Sequence, residues 1–269
     1  MNLELPLHLS EHHKETIYRV TDRFMSQSDT LALLLTGSLA HGFASPSSDV
    51  DIAIVVNSDR FSILKQNGRL ALYDEELCTY PGGYVDGKFM DIEFIKEVAV
   101  RGSEPSRFAF KDAVILFSRL DNLEEIVQAA SRFPIERKPE NISRFLAQFE
   151  AWNWYLKQAL QKNDLYLLRI ASLKLALFGS RLILTHNNLL FPYHKWLTRI
   201  LFNSVDKPTN LENIFHDLIA FPSGESAASF YSAIKNFTHW PSPEISWSMQ
   251  FMLDSELNWV EGEAPVDDI

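Results

Sequence analysis

With 269 residues, 46% of them hydrophobic and 22% charged, the chain has material for one large domain or two modest ones with proper cores. Its 35 acidic against 25 basic side chains leave a net charge of −10, which argues against long nucleic acid as a partner and tolerates a cationic small molecule. Cys78 is the one cysteine, so an intramolecular disulfide and a cysteine-built zinc site are both excluded. The start, MNLELPLHLSEHHKE, has neither a basic n-region nor an apolar h-region, and no apolar run is long enough to cross a bilayer. A cytoplasmic protein without a membrane partner is the expectation.

In chain order, Ser10 is a good N-cap, and Ile17, Val20 and Phe24 follow at helical spacing, which predicts a helix over 10–27. The short apolar runs Thr30 to Thr36 and Asp51 to Val56, bounded by turn residues, read as buried strands. Asp86-Gly87 is a hairpin dipeptide between Gly83-Tyr84-Val85 and the run KFMDIEFI, so Lys88 to Ile95 is predicted as a strand entered from a tight turn. Ala113 to Ser118 reads as one more strand, and Asn122 to Arg132 as a helix on the sheet. The prolines of Phe133-Pro134-Ile135-Glu136-Arg137-Lys138-Pro139 then mark a linker. Beyond it, apolar stripes predict helices over 140–162, 164–186, 193–203, 209–220, 225–237 and 244–259, with Pro192, Pro208, Pro222 and Pro241-Ser242-Pro243 among the breaks. The expected fold is α+β: a small mixed-sheet domain over 1–135, then an all-α helical bundle over 136–269.

The chemistry concentrates in Leu35 to Val56, LTGSLAHGFASPSSDVDIAIVV. Asp49 and Asp51 are two apart on an extended chain, so their side chains leave the same face with Cα atoms ~7 Å apart. Such a pair can close on one Mg²⁺, which takes hard oxygen ligands from one or two carboxylates and from substrate phosphates. Upstream, Gly37 lets the backbone approach a phosphate, and the Ser38 hydroxyl and following amides can donate to it. Ser48, beside the first aspartate, offers a second hydroxyl. Anion cradle and cation cradle thus stand at the two ends of one loop. Either half alone is ordinary turn chemistry; together, between two apolar runs, they form a motif with a structural context.

Phosphoryl transfer also needs a group to take the attacking proton. On a KFMDIEFI strand, Asp91 and Glu93 would share one face and Met90, Ile92 and Phe94 the other. Asp91 is the favoured third carboxylate, as second-metal ligand or general base, with Glu93 as its alternate.

Gly37-Ser38, ten residues, Asp49-Val50-Asp51 and a later strand acid resemble the nucleotidyltransferase superfamily of DNA polymerase β, in particular its antibiotic (aminoglycoside and lincosamide) nucleotidyltransferase-like branch with a helical C-terminal domain. The resemblance implies an enzyme that moves a nucleoside monophosphate, by default AMP from ATP, onto a small-molecule hydroxyl. It implies that Ser38 and Ser48 contact the triphosphate, that Asp49 and Asp51 bind Mg²⁺ with Asp91 completing the site, and that the acceptor lies between two domains.

In the helical half, Lys195 and Arg199 are four apart on one helical face near His194 and two aromatics, which makes Lys195 the favoured extra phosphate contact. Lys174 and Arg181, seven apart, are a second pair of that kind, while Trp152, Trp154 and Tyr155 read as packing. A rival motif is Arg181 with His186, whose spacing resembles the ribonuclease motif of small helical HEPN toxins. The two side chains lie ~140° apart around a regular helix, so one site for both requires the helix to distort or end between them. A non-catalytic, regulatory protein on the same fold is the third class considered.

Overall fold

The structure, a computed structural model, describes residues 5–242 and 244–262; Pro243, one of the punctuating prolines, lies outside them. The chain divides into two compact units, Met1–Arg132 and Phe133–Ile269.

In the first unit, α1 (Glu11–Met25) leads into β1 (Thr30–Leu35), the single turn α2 (Gly37–Ala40) and β2 (Val50–Val56). Then come α3 (Ser58–Gln66), β3 (Ala71–Asp74), β4 (Val85–Met90), α4 (Ile92–Arg101), α5 (Glu104–Phe108), β5 (Val114–Ser118) and α6 (Leu123–Ser131). The sheet order is β3-β4-β2-β1-β5. β2 and β4 run parallel and the other neighbours antiparallel, so the sheet is mixed. Period-two alternation sorts its side chains into two cores. Leu33, Leu35, Val50, Ile52, Ile54, Val56 and Val85 pack with Ile17, Val20 and Phe24 of α1. Ala32, Leu34, Ala53, Val55 and Met90 pack with Ile95 and Val98 of α4 and Leu123 and Val127 of α6. Helices therefore cover both faces, which is why β1 and β2 are almost continuously apolar.

Two sequence expectations fail at β4. Asp86-Gly87 is not a hairpin turn: both residues lie inside β4, which pairs with β2 from Val50↔Val85 to Val55↔Met90. The run KFMDIEFI is not one strand: β4 ends at Met90, and Asp91 becomes the N-cap of α4, accepting the Phe94 amide at 2.9 Å. The cap satisfies an N–H that the first turn of a helix leaves without an internal partner. From there Ile95 and Val98 bury at helical spacing, and the alternation of Met90, Ile92 and Phe94 is incidental.

The second unit is helical. A long hairpin of α7 (Lys138–Lys162) and α8 (Leu165–His186) carries α9 (Leu197–Phe202), α10 (Leu211–Ala220) and α11 (Gly224–Lys235). Phe149, Leu175, Leu182 and Phe230 are among its fully buried side chains. The stretch expected as one helix over 244–259 is instead α12 (Trp247–Phe251), a π turn (Met252–Glu256) and α13 (Asn258–Glu261). Arg144 and Gln148 of α7 reach Asp254 and Ser255 of that turn at 3.0 and 2.8 Å, an inserted-residue geometry that draws both polar groups toward α7. The helix expected over 193–203 also divides, into a 3₁₀ turn over His194–Trp196 and α9. No described helix is long and apolar enough to cross a membrane.

Candidate active site

β1 delivers the chain to Gly37, whose φ of +63° turns it sharply into α2. This left-handed conformation favours glycine, and space demands it as well. A Cβ on Gly37 would stand 1.9 Å from Oδ2 of Asp51. The backbone at Gly37 thus lies directly against the Asp51 carboxylate, with the Thr36 amide donating to the Asp51 carbonyl at 2.9 Å. Next to it, Ser38 is buried, and its Oγ has no hydrogen-bond partner. A buried hydroxyl left unpaired costs about 1 to 3 kcal/mol, so such a group calls for an explanation.

The loop from Leu39 to Ser48 is fastened from behind. Three imidazoles of the N-terminal segment and α1 bond its carbonyls: His8 to Leu39 at 2.8 Å, His12 to Pro46 at 2.9 Å and His13 to Ser48 at 3.1 Å. The Tyr80 hydroxyl donates to the same Ser48 carbonyl at 2.5 Å. Burial holds the His13 imidazole below its ordinary pKa, against the raising effect of its bond to Ser48, and burial with a hydrogen bond to Cys78 pushes the Tyr80 phenol up. The Ser48 hydroxyl is engaged inside the loop, accepting the Ser45 amide at 2.9 Å. At the other end of the turn the His41 ring lies 4.6 Å from that of Phe108 and bonds Asp112 at 3.2 Å, which holds the Asp112 carboxyl below its usual range.

Asp49 and Asp51 lead β2, both half-buried. Register with β4 places Asp51 beside Asp86 on one rung, with Cα atoms ~4.8 Å apart as in any neighbouring pair. Asp51 and Asp86 alternate with the Val50–Val85 rung that enters the α1 core, so both leave the opposite face. Asp86 is thus the third carboxylate beside the Gly37 turn, a residue that the sequence reading had assigned to a hairpin. Asp91 and Glu93 do not join it. Asp91 lies five residues along β4 from Asp86, ~16 Å at strand rise, with its carboxylate engaged in capping α4. Glu93 is exposed in the first turn of α4 and pairs with Lys96 at 2.7 Å. Both answer to helix chemistry at the far end of the strand.

The β3 side of the acids is aromatic. Tyr84 precedes β4 alongside Asp49, and the phenol's pKa is raised, first by the Asp49 carboxylate and less by burial and the charge of Asp51. Tyr73 of the edge strand β3, paired with Asp86, lies 4.8 Å from Tyr84 between ring centroids at an interplanar angle of 31°. Among the described residues no group of three or more His, Cys, Asp or Glu side chains is already gathered closely enough to hold a metal ion. The backbone register nonetheless brings Asp51 and Asp86 to one corner of the sheet, with Asp49 two residues before Asp51 on the same face.

The helical-unit residues have other occupations. Lys195 sits in the 3₁₀ turn with its ammonium 4.9 Å from the Trp196 ring centroid, and Arg199 belongs to α9, so the two do not lie on one regular α-helix. Lys174 lies over Trp152, and the Arg181 guanidinium lies between Phe145 and Phe191 at 4.2 and 4.4 Å. Trp152 and Tyr155 pack against the helical core, whereas Trp154 is largely exposed. His186 packs on Phe237 and Trp240, and α8 runs unbroken to it. Arg181 and His186 therefore occupy separate surroundings, without the helix distortion that a shared ribonuclease site requires.

Among solved structures, the nucleotidyltransferase-like protein from Exiguobacterium sibiricum 255-15 is similar with a TM-score of 0.43 and 8% identity, over 84% of this chain and 73% of that one. No curated protein matches the sequence. Residues 18–116, which hold the Gly37 turn, all three clustered aspartates and β1 to β4, match the family model of the nucleotidyltransferase domain, and a nucleotidyl-transfer function is what that domain supports.

Proposed function

We propose that the protein transfers a nucleoside monophosphate, AMP from ATP by default, onto the hydroxyl of a small molecule, and that it does so with Mg²⁺. The observation that carries this reading is the contact between the Gly37 backbone and Asp51, with Asp86 on the adjoining rung. The space that a side chain would take at Gly37 is filled by the Asp51 carboxylate, so the turn and the acid form one unit. The donor set fits a hard cation: carboxylate oxygens only, with the buried, unpaired Ser38 Oγ beside them as a hydroxyl for a phosphate oxygen. Asp49 and Asp51 would hold the ion, which supplies charge neutralisation on the phosphates and a fixed orientation for in-line displacement.

Within that scheme the chain's own groups divide the work. Gly37 lets its turn close onto the Asp51 carboxylate, and the Ser38 hydroxyl donates a hydrogen bond to a phosphate oxygen that becomes part of the leaving pyrophosphate. The acceptor hydroxyl attacks the α-phosphorus from the opposite side, the bond to the pyrophosphate oxygen breaks, and the acceptor's proton passes to Asp86. The net charge of −10 is compatible with an amine-bearing acceptor such as an aminoglycoside, the acceptor class that the sequence resemblance brings in.

The test is calorimetric titration of Mg·ATP into wild type, Asp49→Asn and Asp51→Asn. Binding by wild type that is lost in both variants, with thermal melting no lower than wild type because like-charge repulsion has been relieved, is the expected result. Equal affinity in all three would end the metal assignment.

A further inference from the structure

One backbone carbonyl carries two side-chain donors at the entrance to β2. The Ser48 carbonyl accepts from Nε2 of His13 at 3.1 Å and from the Tyr80 hydroxyl at 2.5 Å, which fills both of its lone pairs. His13 is buried on α1, and the rings of His12, His13 and Tyr80 pack together with centroids 4.3 to 5.1 Å apart. Tyr80 reaches them because the chain just before it is laced to α1. Thr79 donates its hydroxyl to the His12 carbonyl at 2.8 Å and its amide to the Thr16 hydroxyl at 3.1 Å. Room for the ring is kept at Gly83, where a Cβ would stand 2.3 Å from Cε2 of Tyr80. The clamp is thus built jointly by α1 and the chain between β3 and β4, and it closes on a single peptide group.

That peptide is the one that leads into Asp49. We propose that His13 and Tyr80 are positioning residues for the Asp49 carboxylate: their two hydrogen bonds fix the Ser48 peptide plane, and through it the backbone from which Asp49 presents its oxygens to the cation. This rests on the reading of Asp49 and Asp51 as ligands given above. The fold holds the two acids differently. Asp51 lies inside the sheet, paired with Asp86 of β4, and its carbonyl accepts the Thr36 amide at 2.9 Å where β1 ends. Asp49 comes before the first rung, Val50 with Val85, so strand pairing stops short of it. The clamped Ser48 carbonyl supplies the missing restraint, and it does so from behind. Val50 enters the α1 core, so by alternation the Asp49 side chain leaves the opposite face, and the clamp grips backbone rather than carboxylate. A planar trans peptide transmits the restraint, since fixing its carbonyl fixes the direction of the N–Cα bond of Asp49. Hydrogen-bonding groups behind metal ligands commonly account for about 10- to 100-fold of metal affinity.

The experiment is Mn²⁺ titration followed by electron paramagnetic resonance, on the full chain in the presence of a non-hydrolysable ATP analogue. Wild type and Asp51→Asn come first. Nucleotide-dependent Mn²⁺ binding that Asp51→Asn abolishes establishes the underlying site, whereas its absence in wild type or its persistence in Asp51→Asn overturns that site and this proposal together. With the site established, Tyr80→Phe keeps the ring and removes only the hydroxyl donor, and His13→Leu removes the other donor. Each should weaken Mn²⁺ binding about 10-fold. His13→Gln, whose side-chain amide can donate to the Ser48 carbonyl, should bring the affinity back toward the wild-type value, which a loss through packing alone would not allow. Wild-type affinity in Tyr80→Phe would overturn the proposal, and so would a weakening in His13→Leu that His13→Gln leaves unrepaired.

Discussion

The two ends of β4 carry acids of the same kind with opposite employment. At its beginning, Asp86 stands on a rung with Asp51, beside a glycine turn and a buried hydroxyl that lacks a partner. At its end, Asp91 caps a helix and Glu93 pairs with Lys96 on that helix's surface. The far end closes its own hydrogen-bonding account; the near end leaves a hydroxyl open. An acid's neighbours, not its residue type or its distance from a motif in sequence, decide whether it is available for chemistry.

The largest effect should come from adding one carbon at the near end. Gly37→Ala forces a Cβ into Asp51 and a non-glycine residue into left-handed backbone, so Mg·ATP binding should be lost in calorimetry and the melting temperature should fall. Asp86→Asn should come next, keeping Mg·ATP binding within a few-fold yet slowing pyrophosphate exchange at least ~100-fold, the lower range for a general base. If Asp91→Asn is the slow variant and Asp86→Asn the active one, the contrast between the two strand ends collapses. Asp91→Ala, by loss of the cap, should cost about 1 kcal/mol in chemical denaturation with activity per folded molecule unchanged, and Glu93→Gln should alter neither.

The smallest expected effect sharpens the near end. Burial lowers the His13 pKa in the folded protein, so the unfolded chain takes up a proton first as pH falls. The sign follows: the folded state is undisturbed by this group above its ordinary value of 6.5 and loses stability progressively as pH drops below it. His13→Gln, which retains a donor for the Ser48 carbonyl, should flatten the dependence of melting temperature on pH in that acid range. An unaltered slope would assign the effect to other groups.

Much of this was legible in the sequence because it was local. The apolar runs of β1 and β2, the helix of Ile17, Val20 and Phe24, the α7–α8 hairpin and the glycine turn with its following aspartates all declare themselves within a few residues. What failed to show was non-local. Asp86-Gly87 has the strongest short-range hairpin signal, and only its parallel pairing with β2, a partner some 35 residues away, overrides it. Met90, Ile92 and Phe94 alternate as a strand would, yet Asp91 three residues before Phe94 is an N-cap spacing, and Ile95 with Val98 is a helical one. Weighing that cap against the alternation would have ended the strand at Met90 and released Asp91 from the site. β3 was silent because an edge strand with exposed Tyr73 has no apolar run to betray it.

The contact between the Gly37 backbone and Asp51 also bears on thermodynamic linkage. On the proposed function, this one element would touch the nucleotide's phosphates on one side and a carboxylate that binds the cation on the other. Any displacement of that turn shifts both, so neither affinity is tunable alone. Cation and nucleotide should accordingly each raise the other's binding constant by the same factor, as reciprocity requires of two ligands that bias one element. A substitution nearby that weakens one without the other would have to act through side chains on the β3 side, leaving the backbone of the turn where it is.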